Sequence, residues 1–189
     1  MFLIIEGLHD SGKSTLANDI SHNICSRFKL YEGKRLFPEF NDATITNVSD
    51  FALGSNCAIV WFAQYLANYN SYTQHIIFDR FHLSEYAYSI VKRNIDKDKA
   101  MKTFKMIDDK LSKLDVKLIY LHCDYDSMIE RVKQKNKVYD KKDFFKLTET
   151  FDEACNISKI KMIKVDTGKH DQKKMVSLVR DFITRGTVL

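Results

Sequence analysis

The chain has 189 residues, 44% of them hydrophobic, with six glycines and a single proline; this suits one compact α/β domain spanning 1–189 and excludes a disordered or linker-rich protein. Its formal charge is +5, and no stretch approaches the ~20 consecutive apolar residues of a membrane span, so we expect no membrane partner and a cytoplasmic location. Cys25, Cys57, Cys123 and Cys155 lie far apart with no C-x-x-C pair, which reads as reduced, mostly buried thiols rather than a zinc site.

The first predicted element is the strand Phe2-Leu3-Ile4-Ile5, ended by Glu6-Gly7. Residues 7–14 then read Gly-Leu-His-Asp-Ser-Gly-Lys-Ser, a complete G-x-x-x-x-G-K-[ST] loop between a strand and a helix-spaced stretch. In that context free backbone N–H groups and the helix dipole meet phosphate oxygens, with Gly7 and Gly12 letting the backbone wrap the anion. Lys13 is placed to reach the β- and γ-phosphates and the Ser14 hydroxyl to ligate Mg²⁺, while His9, Asp10, Ser11 and Thr15 complete the nucleotide-binding turn. The bland alternative is an accidental Gly-rich turn. The flanks favour a nucleoside triphosphate site.

Leu16, Ile20 and Ile24 predict a helix to about Arg27, followed by a second strand within 28–37 that ends near Phe37-Pro38. Helical spacing returns over 55–73, with Ala58, Ile59, Phe62, Tyr65, Leu66 and Tyr69 on one face. Ile76-Ile77-Phe78 reads as a strand buried on both faces. Helices are predicted over 83–93 and 99–114, a strand over 116–121, and a helix through Met128, Ile129 and Val132. Phe144, Leu147, Phe151 and Cys155 line another helix, 162–165 forms the last strand, and Met175 to Phe182 the terminal helix. Strands alternating with helices predict a parallel sheet covered on both sides.

The strand at 76–78 ends in Asp79-Arg80, and an acidic residue at the carboxyl end of a buried strand lies where open α/β sheets bind ligands. Asp79 is a candidate to support Mg²⁺ beside Ser14, and Arg80 to bridge donor and acceptor phosphates with its planar fork. The competing account is a charged pair that only caps the next helix. The cationic segment 131–142 carries Arg131, Lys133, Lys135, Lys137, Lys141 and Lys142 against Asp140. Such runs suit phosphate handling, though solvated helix faces produce them as well.

The full stretch Asp79-Arg80-Phe81-His82-Leu83-Ser84-Glu85-Tyr86-Ala87-Tyr88 resembles the thymidylate kinase signature, in which Asp-Arg and an aromatic residue precede a spaced Ser and Ala-Tyr. Phe37-Pro38-Glu39 looks like the segment some members carry after the second strand, and Tyr139 to Ala154 and Val165-Asp166-Thr167 are similar to the family's later elements. The resemblance implies a P-loop nucleoside monophosphate kinase-like α/β fold, a five-stranded parallel sheet flanked by helices, with a lid. It implies ATP and Mg²⁺ at Lys13 and Ser14, Asp79 and Arg80 between the two phosphates, and Ser84 and Tyr88 in the acceptor pocket. Phe62 or Trp61 is then a candidate to stack on the acceptor base. The phosphate loop lacks an Arg or Lys between its glycines, and in such members a basic lid compensates. Arg131 is the strongest single lid candidate, a catalytic residue able to hold two phosphoryl oxygens, with Lys135 a lesser one. Relatives often form dimers, so the resemblance leaves a homodimer open, while the sequence itself does not give the oligomeric state.

The chain also departs from the family. His9 stands where members carry a carboxylate facing the sugar, with the acid displaced to Asp10. Phe40 replaces an Arg that often follows Phe-Pro-Glu, leaving Arg35 as its substitute, and the 55–73 helix offers Gln64, Asn68 and Asn70 rather than an Arg. The expected reaction is transfer of the γ-phosphoryl group of ATP to a deoxynucleoside monophosphate, with dTMP first on family grounds. The nearest rival is a deoxynucleoside kinase using Glu39 as general base for a 5′-hydroxyl. Against it, such kinases follow the third strand with Glu-Arg-Ser, where this chain has Asp79-Arg80-Phe81. A polynucleotide-end kinase or nucleic-acid-binding ATPase has only the basic 131–142 segment in support, without interleaved aromatics. A non-catalytic nucleotide sensor would keep Lys13 but need not keep Asp79-Arg80. Small nucleotides are therefore the expected partners, and nucleic acid is not.

Overall fold

Strand β1 (Phe2–Gly7) is buried at every position, and its side chains alternate between two cores. Phe2 and Ile4 enter one, Leu3 and Ile5 the other, the period-two geometry of a strand covered on both faces. The computed structural model describes residues 2–20, 28–32, 75–135 and 139–184. Within them β3 (His75–Asp79) and β4 (Val116–His122) flank β1, while β2 (Phe28–Glu32) lies outside β3 and β5 (Lys161–Asp166) outside β4. The pairings are all parallel, in the order β2-β3-β1-β4-β5. Ile5 pairs with Asp79 and Gly7 with Leu121, so β1, β3 and β4 finish together at one edge of the sheet.

Helices cover both faces. On one lie α2 (His82–Arg93), α3 (Lys97–Leu111), α4 (Tyr125–Lys133) and α5 (Lys141–Ile157), which bring Leu83, Phe104, Met128 and Phe151 against Ile4, Leu118 and Tyr120. On the other lie α1 (Lys13–Asp19) and α6 (Gln172–Thr184), which pack Leu16, Met175 and Val179 on Leu3, Ile5 and Leu121. This is an α/β P-loop kinase-like fold, a parallel sheet flanked by helices. No described helix is long and apolar enough to cross a membrane.

Element ends follow local chemistry. Asn94 takes the left-handed conformation (φ 51°) and Ile95 N–H donates back to Ser89 O at 3.0 Å, closing α2. Helix α3 spans Lys97–Leu111, not the predicted 99–114. It starts early because the Asp96 carboxylate accepts from Lys99 N–H, and it stops early because Leu114 belongs to a turn, its N–H on Leu111 O at 2.9 Å. Buried Lys117 in β4 donates to the Ile183 carbonyl at 2.5 Å, giving the last turn of α6 a cation for its orphan carbonyls. Cys123 and Cys155 are free and buried, and burial pushes the Cys155 thiol up to about 12, so it stays protonated. Cys25, Cys57, the rest of the predicted second strand and the predicted 55–73 helix lie outside the described residues.

Candidate active site

Gly7 ends β1 at φ 143°, a backbone region that side chains rarely enter. A Cβ there would sit 2.3 Å from the Leu121 carbonyl oxygen of β4, so the loop turns flush against the neighbouring strand. Asp10 (φ 58°) and Gly12 (φ 91°) supply further left-handed turns, and Gly12 O accepts from Leu16 N–H at 2.9 Å to start α1. The loop closes on Lys13, whose Nζ donates to Leu8 O at 2.5 Å and to Ser11 Oγ at 3.2 Å. Burial, and then the nearby Arg80 cation, pull the Lys13 ammonium down to about 7. Asp79, Glu6 and Asp10 act in the other direction without offsetting this.

From β3, Asp79 comes to the same place. The Ser14 hydroxyl donates to Asp79 Oδ2 at 2.6 Å, while buried Asp79 Oδ1 has no partner among the described residues. Arg80 follows at φ 74°, and its N–H donates to Ile5 O at 2.9 Å. That reversal turns the guanidinium back over the loop. Nη1 donates to Gly7 O at 3.2 Å and to Ser84 Oγ at 3.3 Å, Nη2 meets His9 Nδ1 at 3.1 Å, and the group lies 5.4 Å from the Tyr88 ring centre. The His9 and Tyr88 rings touch edge to face at 5.4 Å. The structure thus brings Gly7, His9, Lys13, Ser14, Asp79, Arg80, Ser84 and Tyr88 into one cluster. Thr15 lies exposed on the first turn of α1.

Glu6 carries a role that its place in an apolar run did not signal. It is fully buried, its Oε1 accepting from Phe81 N–H (2.8 Å), Leu83 N–H (3.1 Å) and Ser84 N–H (3.2 Å), and its Oε2 from the Ser84 hydroxyl. Phe81 supplies no side-chain cap, so a carboxylate from another strand satisfies the orphan donors of α2 and meets the positive end of its dipole. Neither Asp79 nor Arg80 does this. The one available signal was a carboxylate inside an otherwise buried strand, since such groups are buried only with partners.

The cationic segment divides between two targets. Lys135 Nζ pairs with Asp10 Oδ1 at 2.5 Å, joining the end of α4 to the phosphate loop. Arg131 instead donates to Thr167 Oγ1 at 2.8 Å and to Thr167 O, beyond the end of β5. Lys137, Arg35, Glu39, Trp61 and Phe62 lie outside the described residues. No cluster of three His, Cys, Asp or Glu side chains suited to a metal occurs among the described residues.

A family model described as thymidylate kinase matches residues 57–177, well over half of the chain. No curated protein matches the sequence. Among solved structures, the YorR protein of Bacillus subtilis, in complex with phosphorylated GDP, is similar at TM-score 0.70 and 20% identity, over 98% of this chain and 97% of its own. Thymidylate kinase from Candida albicans is similar at TM-score 0.66 and 20% identity, over 98% and 91%. A deoxyadenosine kinase from M. mycoides is similar at TM-score 0.65 and 19% identity, over 98% and 100%. At these identities the likeness is one of fold.

Proposed function

The chain belongs to the thymidylate kinase family of ATP-dependent P-loop phosphotransferases, and on that premise we propose that it transfers the γ-phosphoryl group of ATP to a deoxynucleoside monophosphate, dTMP first, yielding the diphosphate. The observation that carries this reading is the environment of Arg80. Its partners among the described residues are a carbonyl, a hydroxyl, an imidazole nitrogen and a ring face, none of them an anion. A fixed guanidinium without a carboxylate partner suits an acceptor that arrives with its own negative charge. With a 5′-hydroxyl as acceptor it would meet the donor phosphates alone.

The chemistry requires positioning and charge stabilisation more than covalent help. Lys13, released from Leu8 O and Ser11 Oγ, donates to the β- and γ-phosphate oxygens. Arg80 spans donor and acceptor phosphates, and Ser84 and Tyr88 line the acceptor side. Ser14 and Asp79 fit Mg²⁺, because the unpartnered Asp79 Oδ1 and the Ser14 hydroxyl are hard oxygen donors of the kind it takes alongside phosphate and water. When bound, the ion would offset charge on the phosphate oxygens. Residues 131–142 act as the lid, a role supported by the contact of Lys135 with Asp10 on the phosphate loop. Arg131, on the last turn of α4, contributes a second cation.

Fold likeness extends equally to a deoxyadenosine kinase, so the bare nucleoside is the rival acceptor. ATP consumption measured across dTMP, dCMP, dAMP, dGMP and the four nucleosides separates the two. The expected result is turnover of a monophosphate well above its nucleoside at equal concentration, because a site built for a phosphate leaves its cation unpaired when the phosphate is missing. Faster phosphorylation of thymidine than of dTMP would overturn the proposal and make Glu39 the candidate base.

A further inference from the structure

Ser84 has one hydroxyl proton and two neighbours that compete to fix where it points. Glu6 Oε2 lies within hydrogen-bond reach on one side and Arg80 Nη1 at 3.3 Å on the other. A guanidinium can only donate, and Glu6 Oε2 accepts from the Ser84 hydroxyl. The proton therefore goes to Glu6, and a lone pair is left facing Arg80. Glu6 is itself immobile, buried on β1 and held by three backbone N–H groups at the start of α2. The chain of contacts runs from a fixed carboxylate, through a hydroxyl with its proton assigned, to the guanidinium above the phosphate loop.

We infer that Glu6 is a positioning residue for the phosphotransfer reaction, aiming the Arg80 guanidinium at the acceptor phosphate through the Ser84 hydroxyl. This rests on the reading of Arg80 as the acceptor-phosphate ligand. Among the described residues the Arg80 guanidinium has one other firm anchor, the hydrogen bond from Nη1 to Gly7 O at 3.2 Å, and its Nη2 partner is the exposed ring of His9. Without Ser84 as an acceptor the guanidinium keeps its charge but loses its direction, and a bidentate contact depends on direction.

The test is a double-mutant cycle in the full chain with dTMP as acceptor, reading KM for dTMP, KM for ATP and kcat, alongside thermal melting. Ser84→Ala leaves the three backbone hydrogen bonds of Glu6 intact and should raise KM for dTMP about tenfold, the weight of one hydrogen bond to a charged group. KM for ATP should rise less, because Lys13 and the backbone of the phosphate loop also hold the donor. Glu6→Gln keeps a carbonyl oxygen for the backbone but offers Ser84 an N–H, which reverses the hydroxyl and turns its proton toward Arg80. It should raise KM for dTMP at least as much, yet add little in the Ser84→Ala background, because the two act through one path. A purely structural Glu6 would lower the melting temperature and disturb both KM values regardless of Ser84, and that additive result would overturn the inference. Should Glu6→Gln fail to fold, Ser84→Ala in the Arg80→Ala background decides: no further rise in KM for dTMP keeps the link through Arg80, and a further rise, or an unchanged KM in Ser84→Ala alone, removes it. Arg80→Ala is the control for the underlying reading. If it leaves KM for dTMP unchanged, the acceptor-phosphate assignment of Arg80 fails; if it raises KM while Ser84→Ala does not, only the role of Glu6 fails.

Discussion

Lys13 is buried, donates to the loop that carries it, and shares its neighbourhood with the Arg80 cation. Burial first, and Arg80 second, lower its pKa from 10.5 to about 7. Between those values the unfolded chain holds the proton and the folded one does not, so the stability of the empty protein rises with pH across that window. Below pH 7 both states are protonated and the cost of burying the charge is felt in full. Phosphate oxygens reverse the balance by favouring the ammonium, so at pH 8 nucleotide binding should draw about one proton per site from the buffer. Calorimetry of ATP binding in buffers of different ionisation enthalpy reads this directly, and Lys13→Met should abolish the uptake along with nearly all turnover while the fold stays cooperative. Uptake that persists in Lys13→Met would assign the titration to another group. The loop that shapes this lysine was legible in the sequence because all its requirements fall within eight consecutive residues. Glu6 was not, because its hydrogen bonds reach Phe81, Leu83 and Ser84, far along the chain, and nothing in Phe-Leu-Ile-Ile-Glu-Gly announces them.

At the scale of elements, the pattern of apolar residues located strands and helices well because each buries a face of its own. Their ends were less legible where a cap decided them, as Asp96 does for α3. The basic segment at the end of α4 holds its two candidate cations on different partners. The sequence ranks Arg131 above Lys135 as a phosphate clamp, whereas the structure sets Lys135 on Asp10 of the phosphate loop and Arg131 on Thr167. Charge and spacing cannot tell which side of a helix faces a loop 125 residues away. Paired measurements separate the two cations. Lys135→Ala should lower kcat at least tenfold with a small change in KM for ATP, if the lysine leaves Asp10 for a phosphoryl oxygen in the transition state. Arg131→Ala should then lower kcat less. A larger fall in Arg131→Ala would restore the order read from the sequence, and two values within about twofold of wild type would reduce the segment to a solvated helix end.

Across the whole molecule, the face of the sheet bearing α2, α3 and α5 is tied together by Asp108. This carboxylate on α3 meets His82 Nε2 of α2 at 3.1 Å and accepts from Ser158 Oγ at 2.6 Å and Lys159 N–H at 2.7 Å ahead of β5. Burial alone would raise its pKa, but the hydrogen bonds from His82, Lys159 N–H and Ser158 outweigh burial and hold it below the usual 3.8. Asp108→Ala strands three groups at once and should cost about 3 kcal/mol, a fall in melting temperature of about 10 °C for a chain of this size. Asp108→Asn, which keeps the shape, should lose less. Because the folded pKa is depressed, this contribution is full above the unfolded value and fades as pH falls below it, so the gap between wild type and Asp108→Asn should close under acid. A gap that is unchanged at pH 3 would show that shape rather than charge holds the three elements.

The contact between Gly7 and Leu121 also bears on the chain as it is being made. The turn that follows β1 is made well before the strand that forms its wall, and Asp79 and Arg80 are laid down between the two. Until β4 docks beside β1, only the pairing with β3 repays the entropy of closing the chain, and the turn lacks the wall that Leu121 O gives Gly7. A chain cut before β4 should therefore bind ATP far more weakly than the full chain, a difference that equilibrium dialysis of the two reads.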